Sequence, residues 1–97
     1  MGIKEILANR KIRRELENEY LVVVDFFVET KGAIKKGTMP PSIGIDSLRS
    51  QCDSTRNKLE TIKEQNKEVF LEFAPRFKSI FEEINTYMIS MSEALAK

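Results

Sequence analysis

Residues 45–73 read IDSLRSQCDSTRNKLETIKEQNKEVFLEF. Sampled at alternating steps of three and four, the stretch yields Ile45, Leu48, Cys52, Thr55, Leu59, Ile62, Asn66, Val69 and Phe73. On an α-helix that alternation lines one narrow stripe, the a and d positions of a coiled-coil seam. The intervening positions are nearly all polar, among them Asp46, Arg49, Asp53, Arg56, Lys58, Glu60, Lys63 and Glu64. A stripe this narrow is stable only against another helix, so the rest of the chain must supply partners or extensions.

The segment before it has a similar rhythm. Ile12, Leu16, Tyr20, Val23 and Phe27 share one helical face, and Ile3, Ile6 and Leu7 extend it toward the start. Leu21–Val28 is rich in β-branched and aromatic residues and taken alone would pass for a strand. With no second strand to pair with, a helix over 3–31 is the better reading. Gly32 then suits a helix end, and residues 32–44 form a linker with three glycines and the Pro40-Pro41 pair.

Beyond Phe73 the apolar steps become four, three, four and three, through Phe77, Ile80, Ile84 and Tyr87. Two fours in succession shift the phase of the seam, and Pro75 stands at that point. The spacing predicts an all-α fold: an antiparallel hairpin of helices 3–31 and 45–73, then a kink at Pro75 and a third helix over 75–96. All of it belongs to one coiled-coil-like domain spanning residues 1–97. A bundle closed within the chain and a homodimer are both open, and the narrow seam favours the dimer. Leu48, Cys52, Leu59, Ile62, Asn66 and Val69 are the candidate self-association seam. Asn66 either fixes register across that seam or marks where it opens.

Composition narrows the function classes. The chain has 97 residues, no histidine, one cysteine, and 16 basic against 15 acidic groups. A zinc site, an internal disulfide framework and a strongly basic nucleic-acid binder are all disfavoured. No cofactor motif, phosphate loop or activated nucleophile is present, which argues against an enzyme. The opening residues lack the apolar core of a signal peptide, and no apolar run approaches a membrane span. The expectation is a soluble cytoplasmic protein.

Two surfaces stand out. Phe70, Phe73, Phe77, Ile80, Phe81 and Ile84 form a dense apolar stripe, read either as core or as a face that receives a partner helix. With the Leu21–Val28 face, it leads to a non-enzymatic interaction module: an adaptor, chaperone or regulatory subunit. Arg10, Lys11, Arg13 and Arg14 form a basic cluster that would suit an anionic partner. That cluster keeps two alternatives open, a nucleic-acid-associated regulator and a membrane-peripheral or immunity-type factor.

Overall fold

The computed structural model describes residues 2–96 as three helices, α1 (Ile3–Lys36), α2 (Pro41–Gln65) and α3 (Lys67–Ala96). The all-α expectation holds, and Leu21–Val28 is helical within α1. The boundaries of the elements differ from the sequence reading in three places, each with a local cause.

Helix α1 runs through Gly32 and ends instead at Gly37, whose φ of 78° is left-handed. The Gly37 amide donates to the Ile34 carbonyl (3.1 Å) and the Thr38 amide to that of Ala33 (3.0 Å), the paired bonds of a Schellman ending. A glycine inside a helix costs about 1 kcal/mol relative to alanine. Packing beyond it offsets that cost, because Ile34 lies against Gly44 of α2 so closely that a Cβ on Gly44 would overlap it.

The expected long linker shrinks to Gly37–Pro40. Pro41 opens α2 at its first helical position, where the missing amide would have had no partner in any case.

The break between the second and third helices falls at Asn66, not at Pro75. Asn66 has an extended backbone (φ −156°, ψ 93°). Its amide still donates to Ile62 (2.9 Å), and its carbonyl accepts from Phe70 (3.1 Å). Its side-chain Oδ1 accepts from the Val69 amide (3.2 Å), the geometry of a helix N-cap, while Nδ2 donates to Asn9 Oδ1 (2.6 Å). One residue therefore closes α2, opens α3 and ties both to α1. Pro75 lies inside α3 on its solvent side. The bond it removes is that to the Leu71 carbonyl, on an exposed face, and the helix continues because Phe73, Phe77 and Ile80 on either side of it are buried against the other helices.

The chain reverses at both junctions. Asn9 meets Asn66 and Glu19 meets Thr55, so α1 and α2 are antiparallel. Tyr20 packs on Phe77 and Phe27 on Tyr87 (ring centroids 5.7 and 5.6 Å), so α1 and α3 run parallel. The result is an up-down-up bundle measuring 59 × 20 × 16 Å. Helices α2 and α3 laid end to end would reach roughly 80 Å at about 1.5 Å per residue, which confirms the fold-back.

The core has two apolar clusters. One joins Leu16, Leu59, Ile62, Val69, Phe73 and Phe77; the other joins Val23, Phe27, Leu48, Cys52, Ile80 and Ile84. Tyr20 and Phe81 touch both. Between them lies a polar layer: buried Thr55 donates to buried Glu19 (2.8 Å), whose other oxygen accepts from Lys58 (3.4 Å). Gln51 donates to Thr55 (3.2 Å) from one turn away.

Candidate functional site

The bundle consumes most of the residues singled out in the sequence. In the aromatic stripe, Phe73, Phe77, Ile80 and Ile84 are buried between helices and hold the fold together. Phe70 and Phe81 are half-buried and line a groove of about 590 Å³ between α2 and α3, with Arg56, Ala74 and Lys78. Even there the rings are covered by cations, Arg56 lying 4.9 Å from the Phe81 centroid and Lys63 5.8 Å from that of Phe70.

Leu48, Cys52, Leu59, Ile62 and Val69 of the expected self-association seam are likewise buried, covered by the chain's own helices. The sixth, Asn66, is the junction already described. A narrow seam needs a partner helix, and α1 and α3 provide it within one chain.

Burial also sets the chemistry of the lone thiol. It pushes Cys52 above the ordinary value of 9.0, and nearby Arg56 only partly opposes the shift. The folded chain thus holds this proton to higher pH than the unfolded chain. The stability linked to it is fully present below the ordinary thiol value and is lost as pH rises through the folded one. Native Cys52 is expected to resist iodoacetamide at pH 8 and to react readily in denaturant. Equal rates in the two conditions would contradict its burial.

The basic cluster is divided. Arg13 makes a bidentate bridge to Glu72 of α3, with Nε and Nη2 at 3.0 and 2.9 Å. The bridge holds the Glu72 carboxyl below its usual range and raises Arg13 further. Arg10, Lys11 and Arg14 remain exposed. Lys35 and Lys36 close the far end of α1, so they do not join these three in a single patch.

Most of the exposed aliphatic residues lie on the outward side of α1, with Ile43, Leu71, Ile89 and Leu95 exposed on α2 and α3. Ile3, Ile6, Leu7, Leu21, Val22 and Val28 are all about half exposed or more, with Ile3 at 76% and Val28 at 58%. Asn9 already stands level with the α2–α3 junction, so Ile3–Ala8 projects past the rest of the bundle. The sequence reading assigned Ile3, Ile6 and Leu7 to the buried stripe. The structure moves them outside, because α2 and α3 turn at Asn66 and leave nothing beyond it to cover them.

The exposed positions have a rhythm of their own. Ile3, Leu7, Arg10, Arg14, Glu17, Leu21, Val24 and Val28 alternate by four and three along one line, offset from the core-facing Ile12, Leu16, Val23 and Phe27. All are exposed except Val24, which is half-buried. The sequence reading noted the Leu21–Val28 face but did not connect it with Ile3 and Leu7 as a separate line. The signal for the outer line lay in the same spacing, obscured by the charges at its centre.

Among the described residues no three acidic or cysteine side chains converge on a possible metal position, and no helix is long and apolar enough to cross a membrane. The arrangement defines a small up-down-up helical bundle with one helix face left apolar at both ends and charged in the middle. Comparison with protein families, curated proteins and solved structures finds no match to this chain.

Proposed function

We propose that the chain is a non-enzymatic protein-interaction module that works by helix packing, and that the outward face of α1 is the surface it offers. The observation that supports this is the cost of that face. Leu21 and Val28 are exposed by more than half, as Ile43, Leu71, Ile89 and Leu95 are elsewhere, but on α1 they fall on one line with Ile3 and Leu7. Single exposed aliphatic residues are ordinary on any surface. A line of them at heptad spacing along one helix is what a second helix packs against.

Site-specific photo-crosslinking tests the reading. A benzophenone side chain placed at Leu21 or Val28, in the cells that make the protein, is expected to give one discrete adduct at each position. The same group at Glu64, on the exposed side of α2, is expected to give none. Absence of any adduct from α1 above that background would overturn the proposal.

A further inference from the structure

The outer line of α1 is its own mirror image. Run in the opposite direction, Ile3, Leu7, Arg10, Arg14, Glu17, Leu21, Val24 and Val28 fall on the same set of positions. Two copies of α1 laid antiparallel thus meet layer by layer. Ile3 faces Val28 of the second copy, Leu7 faces Val24, Arg10 faces Leu21 and Arg14 faces Glu17. Each layer occurs twice, as a two-fold axis requires.

The chemistry agrees at every layer. The outer layers are aliphatic against aliphatic. The layer next to the centre lays the Arg10 stem along Leu21 while its guanidinium stays in water. The central layers place opposite charges together, in two equivalent Arg14–Glu17 pairs. Arg13, the neighbouring cation, is already engaged by Glu72 and leaves Arg14 free for this role.

From this self-complementarity we infer that the occupant of the α1 face is a second copy of the same chain, packed antiparallel about a two-fold axis between Glu15 and Leu16. The inference rests on the reading of α1 as the partner face and names the partner. It also gives the projecting turns Ile3–Ala8 a role the monomer lacks, since Ile3 and Leu7 gain cover from Val28 and Val24 of the second copy. The contact line from Ile3 to Val28 is roughly 38 Å long at about 1.5 Å per residue. This interface is separate from the Leu48–Val69 seam, which stays inside each chain.

Charge reversal on the full chain tests the register, with mass read by sedimentation over a range of concentrations. The unaltered protein is expected at twice its 11.2 kDa chain mass. Arg14→Glu places two acidic pairs at the centre and Glu17→Arg two basic ones. Each substitution is expected to raise the dissociation constant about tenfold or more. Both residues are exposed, so the circular dichroism of the variants should match the parent, and their melting should match it at concentrations where the parent too is monomeric. Mixing the two single variants, or combining both changes in one chain, restores opposite charges in both central layers and is expected to restore the dimer.

A chain that stays monomeric at high concentration would overturn the pairing. So would a dimer indifferent to both reversals, or a double variant that remains monomeric when the singles do. A monomer that co-sediments with phosphatidylserine vesicles would assign the face to a lipid surface and also overturn it. The two proposals fail separately: a monomer that still gives the Leu21 adduct keeps the partner face and loses only the second copy.

Discussion

Truncating Phe77 to alanine is expected to remove about 3–5 kcal/mol of folding stability. Its ring is 2% exposed in the cluster with Leu16, Leu59, Ile62, Val69 and Phe73. It stands edge-on to Tyr20 (5.7 Å) and tilted against Phe81 (6.2 Å), the two rings that touch both clusters. A cavity here has little means of closing. The helices are held together at one end by Asn66 and Asn9, and at the other by Ile34 against Gly44. The loss is a large share of the roughly 5–15 kcal/mol that a domain possesses. Urea unfolding followed by circular dichroism measures it directly. Phe70→Ala, at a half-buried ring on the groove, should cost clearly less. Equal losses at the two positions would mean that the Phe77 site is not the enclosed one described.

The second large effect is expected at the polar layer. Thr55 is fully buried and donates the 2.8 Å bond to Glu19, itself only 9% exposed. In Thr55→Val the carboxylate loses that donor and keeps only the 3.4 Å contact with Lys58, whose side chain is 61% exposed. Leaving a buried acceptor short of a partner costs about 1–3 kcal/mol. Replacing both partners has the opposite logic. Glu19→Leu combined with Thr55→Val removes the charge together with its donor and should recover most of the loss, since buried polar pairs are often no better than apolar ones of similar volume. The coupling between the two sites is read from a double-mutant cycle. A double variant no more stable than Thr55→Val alone would contradict the account.

The layer also bears on register. If α1 slipped one turn along α2, Glu19 would lie against Cys52 or Leu59, where no hydroxyl stands to meet it. The two apolar clusters by themselves are more tolerant, because aliphatic residues at heptad spacing offer similar contacts after each turn. A single buried carboxylate separates the right alignment from its neighbours.

Much of the architecture was legible before the chain was folded. The three-and-four spacing of Ile45 to Phe73 identified helical structure and its buried stripe, and all but one of those positions proved to be buried. The exception, Asn66, is also where the reading of the elements failed. The step from Ile62 to Asn66 to Val69 keeps the heptad spacing through a complete reversal of direction. Both arms must present their stripes to the same α1, so periodicity continues where the helix does not. Pro75 made the opposite impression, since a proline lowers a helix's stability without necessarily ending it. Its cost of about 3 kcal/mol is offset in α3 by Phe73, Phe77 and Ile80, buried on both sides of it.

The same limit applied to the surfaces. Spacing identified Phe73, Phe77, Ile80 and Ile84 as one face, but whether a chain covers such a face itself depends on where it turns. The sequence alone determined an all-α chain, its stripes, its balanced charge, its lack of histidine and its single cysteine. Tertiary structure decided that the Leu48–Val69 seam and the aromatic stripe would be spent on the chain's own core. It also decided that Ile3, Leu7, Leu21 and Val28 would be left outside. The physical reason is that helical periodicity is a local property of the backbone, whereas burial depends on which helix arrives opposite, and a single residue at the α2–α3 junction sets that.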